Sequence, residues 1–258
     1  MKAKKKYGQH FLTNNHYAER IAKDILQADE TGRILEIGPG RGFLTQYLLE
    51  GEAELKLVEL DEDMVQYLNH EFRLDDGVIL HQDFLKMDLR NLFDGNEFSI
   101  VGNFPYNISS QIVFSILDHR NRIPVFSGMF QKEVANRLAA PHGTKTYGIL
   151  SVLLQAFYTV EKCFDIGPGN FNPPPKVDSS VILCKRLEQA KITDNIKLFF
   201  TLVKMAFNQR RKMLRNSIKG LLAGKAINPD IQKYLTLRPE QMSVEDFVHL
   251  TEEIKKQA

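Results

Sequence analysis

Residues 99–107 read Ser-Ile-Val-Gly-Asn-Phe-Pro-Tyr-Asn. A short apolar run ends there in an amide, a conformationally locked proline and an aromatic ring. The run predicts a buried strand, which would present Asn103 and Tyr106 at the mouth of a sheet. An exocyclic amine on a nucleobase is a poor nucleophile, because its lone pair is delocalised into the ring. The Asn103 carboxamide oxygen and a nearby backbone carbonyl could accept its two N–H groups and favour a pyramidal nitrogen, while Tyr106 stacks on the base. A plain strand end followed by a proline turn reads the same way, so the surroundings of the motif decide.

Upstream, Glu36-Ile-Gly38-Pro-Gly40-Arg-Gly42 falls between a predicted strand and a helix. Glycines there let a ligand approach the backbone closely, with helix N–H groups nearby. A nicotinamide fingerprint places its third glycine three residues after the second. Here the spacing is two, and an acid precedes the first glycine by two. That favours S-adenosylmethionine over a pyrophosphate-bearing dinucleotide. Glu59 closes the next strand, 19 residues after Gly40, where a carboxylate can take both ribose hydroxyls. Asp83, in Gln82-Asp83-Phe84, ends the third strand and could accept the adenine amine. Each acid alone reads more readily as a helix cap or turn residue than as a ligand contact. Their succession at the carboxyl ends of consecutive strands, where open α/β sheets bind ligands, joins them into one site. Asn103 follows on the fourth strand, beside the sulfonium.

The elements that must hold these residues alternate. A helix capped by Asn14 or Asn15 carries Ala18, Ile21, Ala22, Ile25 and Leu26 on one face. Strands are predicted at 33–37, 54–60, 78–81, 98–101 and 124–130, with helices through Leu49 and over 61–72, 108–117 and 132–139. Residues 147–157 are apolar on most sides and predict a buried helix. Two late strands, near 158–163 and 179–185, flank Phe171-Asn-Pro-Pro-Pro-Lys176 with no helix between them. This implies an α/β fold: a doubly wound, mostly parallel sheet with an antiparallel edge. After Glu188 the strand signal stops. Helices are predicted at 195–207, 210–222, 231–235 and 244–256, so domains are expected at 1–188 (cofactor-binding, catalytic) and 189–258 (helical).

The chain has 258 residues and a net charge of +2, unevenly placed. From Ala190 onward there are 13 Lys and Arg against 7 acids, and residues 201–225 hold seven basic residues and no acid. A polyanion partner for that region is expected. Cys163 and Cys184 have no His or Cys neighbours at ligand spacing, so no metal site is expected, and free thiols in a reducing compartment are. No stretch is long and apolar enough to span a membrane. The basic N-terminus lacks the apolar core of a signal peptide. A cytoplasmic monomer is the expectation.

Taken together, Tyr7-Gly-Gln-His-Phe-Leu12, Glu36-Ile-Gly-Pro-Gly40, Val58-Glu-Leu-Asp61, Gly102-Asn-Phe-Pro-Tyr-Asn-Ile-Ser109, Gln131-Lys-Glu-Val-Ala-Asn-Arg-Leu138 and Phe171-Asn-Pro-Pro-Pro-Lys-Val-Asp-Ser179 resemble the rRNA adenine N6-dimethyltransferase family, across essentially the whole chain. The resemblance implies a class I (Rossmann-like) methyltransferase that uses S-adenosylmethionine. It implies cofactor contacts at His10, Leu12, Gly38, Glu59, Asp83 and Asn103, and a catalytic set of Asn103, Phe104, Tyr106 and Phe171. The family usually has Asn where this chain has His10, and Leu where it has Phe104. A backbone contact survives the first change, and the second keeps the Phe104 carbonyl, the expected amine acceptor. Tyr106 would stack on one face of an extruded adenine and Phe171 on the other, although Phe171 alone reads equally as a buried loop anchor. Lys176, the Lys2–Lys6 tail, Arg210, Arg211, Lys212 and Arg215 would meet phosphates. The implied substrate is a pair of adjacent adenines in the 3′-terminal hairpin loop of small-subunit (16S) rRNA, dimethylated during ribosome biogenesis in the assembling subunit. The alternatives are a large-subunit rRNA methyltransferase conferring antibiotic resistance and a non-catalytic assembly factor.

Overall fold

The computed structural model describes Lys4, residues 8–224 and residues 227–257. Its strands are β1 (Phe11–Leu12), β2 (Arg33–Ile37), β3 (Glu54–Glu59), β4 (Ile79–His81), β5 (Ser99–Asn103), β6 (Val125–Gln131), β7 (Tyr158–Ile166), β8 (Phe171–Asn172) and β9 (Ser179–Arg186). Seven of them form one sheet in the order β4-β3-β2-β5-β6-β9-β7. The first five pair in parallel, and β6 pairs antiparallel with β9. From β2 the chain winds outward through β3 to β4, then returns to the other side of β2 as β5. The direction of winding therefore reverses between β2 and β5. Strands β1 and β8 form a separate antiparallel pair, with Leu12 opposite Phe171.

The helices are α1 (Asn15–Ala28), α2 (Thr45–Leu48), α3 (Glu62–Phe72), α4 (Ser109–Asp118), α5 (Lys132–Leu138), α6 (Ile149–Gln155), α7 (Ile196–Asn208), α8 (Leu214–Ser217), α9 (Lys219–Leu222), α10 (Pro229–Gln232) and α11 (Val244–Lys256). The Asn14 side chain accepts the His16 N–H at the start of α1, which buries Ala18, Ile21, Ala22, Ile25 and Ala28. This is the predicted stripe with Leu26 displaced to its edge. The helix expected through Leu49 is a single turn, because a tight turn closed by the Gly42 N–H on Pro39 delays its start.

The chain divides into two compact units, residues 1–135 with 160–186, and residues 136–159 with 187–258. The second unit thus takes in residues 136–159, which the sequence pattern places with the first. Helix α6 explains it. Leu150 through Leu154 are all buried, so this helix needs cover on every side, and α7 and α11 pack against it. The helix expected over 210–222 is broken into α8 and α9. The N–H groups of Leu214 and Arg215 donate to Leu237 and Leu235 instead of to the preceding turn. Leu214, Ile218 and Leu222 stay buried regardless.

In the first unit the middle of the sheet is packed tightly around Phe104. Its ring meets Phe130 edge-on at 5.0 Å and covers Gly128, where a Cβ would overlap it. Gly128 pairs with Gly102, whose own Cβ would collide with the Ile37 carbonyl. A bulky aromatic at 104 therefore requires the bare backbone at 128. Gly128→Ala is expected to lower stability by about 1–3 kcal/mol through overpacking. Combining it with Phe104→Leu is expected to recover part of that loss. Urea unfolding of both single variants and the double variant checks this, and strictly additive effects would show that the ring does not impose the glycine.

Candidate active site

At the winding reversal, the carboxyl ends of the parallel strands surround a cleft of about 200 Å³. Open α/β sheets bind ligands at this position. Ile37 and Gly38 follow β2, Glu59 and Leu60 end β3, Gln82–Leu85 follow β4, and Asn103–Ile108 leave β5. Gly8–Phe11 line the cleft as well. Of the residues expected from sequence, His10, Gly38, Glu59, Asp83, Asn103, Phe104 and Tyr106 come together here. Leu12 does not line this cleft. It lines a smaller cavity of about 40 Å³ with Glu36, which shares Phe11, Gly38 and Asn103 with the first.

The two strand-end acids are held differently. The Glu59 carboxylate accepts N–H groups from Gly40 at 3.1 Å, Leu60 at 2.9 Å and Asp61 at 2.8 Å. Burial raises its carboxyl above the ordinary range, and those three donors oppose the shift without reversing it. The fan of N–H groups fixes the side chain across the glycine turn. Asp83 caps a short 3-10 turn, accepting the Leu85 N–H at 3.0 Å, with Lys86 at 3.7 Å. The capping reading and the cleft-wall reading hold together for this residue.

Asn103 donates its Nδ2 to the His10 carbonyl at 2.8 Å. That bond fixes the amide orientation, since a carbonyl can only accept, and leaves Oδ1 as an acceptor. The His10 ring is stacked on Tyr106, centroids 5.5 Å apart and planes 24° apart. The Tyr106 hydroxyl is hydrogen-bonded to the Ser179 hydroxyl at 2.5 Å. Burial raises the phenol above its usual range against that bond. Phe104 is wholly buried, main chain included. Phe171 does not line the cleft. In β8 side chains alternate, so Asn172 faces outward while Phe171, 4% exposed, packs into the core beside Leu12. Its place is that of the loop anchor.

Three features escaped the sequence reading. Gln9 Nε2 donates to Asp61 at 3.0 Å, and Lys4 Nζ lies 2.6 Å from both Asp61 and Asp63. Burial pushes Asp61 up, but the bonds from Lys4, Gln9 and the Asp63 N–H outweigh it and hold the carboxyl below its usual range. Lys4, expected to meet phosphate, is thus paired within the chain. Tyr7 and the other lysines of that tail, Lys2, Lys5 and Lys6, lie outside the described residues, as does Lys225. The third feature is Glu36, 1% exposed, which accepts the Thr45 hydroxyl at 2.7 Å. Its position two residues before Gly38 was visible, but its complete burial was not.

The donor set fits S-adenosylmethionine. Glu59 and Asp83 offer acceptors to hydroxyl and amine groups, and Phe84, Leu85 and Ile108 add an apolar wall to the same cleft. Nothing stands within 4 Å of where a Cβ on Gly38 would lie, so the chain leaves open space beside that backbone. Behind it, Glu36 offers a buried carboxyl to an ammonium group. Burial, then the Glu59 charge, push Glu36 up to about 8 against the Thr45 bond. Between the ordinary carboxylate range and pH 8, the unfolded chain has lost a proton that the folded chain keeps. Stability therefore falls as pH rises through that window. Glu36→Gln, which cannot titrate, is expected to gain on the wild type between pH 5 and 8 by at least about 1 kcal/mol, the worth of under one pKa unit. Urea midpoints at pH 5, 6.5 and 8 check this, and a pH-independent difference would contradict it.

The family model "Ribosomal RNA adenine dimethylase" matches residues 1–256. The chain is 53% identical over 251 residues to the Ribosomal RNA small subunit methyltransferase A of Parabacteroides distasonis, covering 97% of this chain and 93% of that protein. It is 49% identical over 255 residues to the protein of the same name from Flavobacterium johnsoniae, covering 99% and 97%. Among solved structures, a dimethyladenosine transferase from Plasmodium falciparum superposes with a TM-score of 0.79 at 24% identity, covering 96% of this chain and 98% of that one. The 23S rRNA methyltransferase ErmE gives 0.70 at 20%, covering 95% and 99%. Those two likenesses establish the class I methyltransferase fold. The family match spans both compact units and all the strand ends that wall the cleft, and the chain belongs to the ribosomal RNA adenine dimethylase family.

Proposed function

We propose that the chain transfers methyl groups from S-adenosylmethionine to N6 of two adjacent adenines in the 3′-terminal hairpin loop of small-subunit rRNA, twice on each base, within the assembling subunit. The observation that carries the reading is Asn103. Its amide is pinned by the His10 carbonyl at a strand end in the cleft, with Oδ1 left to accept from an amine. The names and identities of the relatives support the small-subunit substrate over the large-subunit alternative.

When bound, the cofactor supplies a methyl on a positively charged sulfur, a leaving group so activated that no strong base is required. The chain's own work is binding and orientation. In this reading Glu59, Asp83, Gly38 and the backbone of His10 hold the cofactor, and Glu36 with Leu12 closes the cavity behind Gly38. Asn103 Oδ1 takes one N–H of the amine. The Phe104 carbonyl takes the other once the neighbouring residues Pro105 and Tyr106 give it access. Tyr106, fixed by Ser179, stacks on the extruded base, a contact worth about 1–3 kcal/mol on the alanine-substitution scale. Phe171 holds the proline loop from below as a positioning residue. Arg211, Lys212 and Arg215, in the second unit, meet phosphates. Single-stranded loops present such unstacked bases.

Tritiated methyl transfer to unmodified small subunits, followed by digestion to nucleosides, tests the reading. N6,N6-dimethyladenosine is the expected product. Asn103→Ala is expected to lower kcat by about 10²–10³, the scale for removing one oriented hydrogen-bonding group from a reaction centre. Transfer to large-subunit RNA alone would establish the resistance-type reading. Cofactor binding without transfer to either would establish an assembly factor.

A further inference from the structure

His10 joins three parts of the first unit. Its carbonyl accepts Asn103 Nδ2 at 2.8 Å. Its Nδ1 is 2.8 Å from the Pro173 carbonyl, and since a carbonyl only accepts, Nδ1 carries the proton. Its ring lies on Tyr106 at 5.5 Å and 24°. The first contact belongs to the main chain. The other two belong to the imidazole, a flat aromatic heterocycle that lies on a tyrosine while a ring N–H is hydrogen-bonded to the chain. A purine entering the same place would make the same kinds of contact. Resting on the reading of Tyr106 as the base-stacking residue, we propose that the His10 ring is a stand-in base. It covers Tyr106 until the target adenine displaces it, and so sets a threshold for which bases enter.

Displacement breaks the Nδ1–Pro173 bond, while the pairing of Phe11 and Leu12 with Asn172 and Phe171 still holds the start of the proline loop. The Asn103 bond survives, because it uses the main-chain carbonyl. The amide that receives the amine therefore stays in place while the covering ring leaves. An incoming base must stack on Tyr106 better than imidazole does. The two fused rings of a purine offer more overlap than a single pyrimidine ring. His10 is then a specificity-determining residue that disfavours weakly stacking bases, at a cost in affinity for the correct one.

The test measures KM and kcat for unmodified small subunits with His10→Ala, His10→Phe, Tyr106→Ala and the His10→Ala/Tyr106→Ala pair. Removing the ring is expected to lower KM by about three- to tenfold, the equilibrium equivalent of one lost aromatic stack, with a smaller change in kcat. Restoring a ring in His10→Phe is expected to return KM toward the wild-type value. The His10→Ala effect should vanish when Tyr106 is absent. A KM that is unchanged or raised in His10→Ala overturns the stand-in base, since a merely structural residue can only weaken binding when truncated. Unchanged kinetics in Tyr106→Ala would instead overturn the stacking role on which the inference rests.

Discussion

Strand β2 is paired in parallel on both sides, and everything at the site follows from that constraint. With β3 on one flank and β5 on the other, the chain must wind away from β2 in opposite directions, which opens a gap at the strands' carboxyl ends. Gly38, Glu59, Asp83 and Asn103 are the residues at or just past those ends. Their nearness is a property of the sheet's order, and no long-range pairing of their own is needed to assemble them. The side chains then need only be held in place. Backbone N–H groups do this for Glu59, and a backbone carbonyl does it for Asn103.

Two acids at the site are largely cut off from water. Glu36 and Glu59 are both buried acids whose protons are held above the ordinary carboxylate range. A protein stabilised for its own sake would not place two carboxyls this close in the interior. In the proposed function, ligand groups take their acceptors. The arrangement exchanges folding stability for a cleft that is oriented before anything binds.

Much of this was legible in the sequence, and the residues show why. Glu59 and Asn103 end apolar runs, so periodicity located them, and Gly38 announced itself by its spacing from Glu36. Phe171 was ambiguous because its orientation depends on a two-residue strand pairing with Leu12, too short to leave a period. The late start of α8, at Leu214, was invisible because its cause lies at Leu235 and Leu237, far along the chain, while the apolar stripe Leu214, Ile218, Leu222 gives no sign of it. Helix α6 was read as buried, but an all-apolar helix does not say which neighbours cover it. In each case local pattern gave the element and tertiary hydrogen bonding or packing decided its partner.

Asp61 serves two masters. One carboxylate caps α3 through the Asp63 N–H and receives both Lys4 and Gln9 from the chain's beginning. Residues 8–11, which line the cleft, and the first turn of α3 therefore share a single keystone, and loosening either weakens the other. A partner shared in this way couples the opening of the two segments, the kind of coupling that native-state hydrogen exchange reads. A ligand that is covered by residues 8–11 consequently steadies a helix it need not touch. Amide protection in the first turn of α3 thus becomes a remote gauge of whether the cleft is covered.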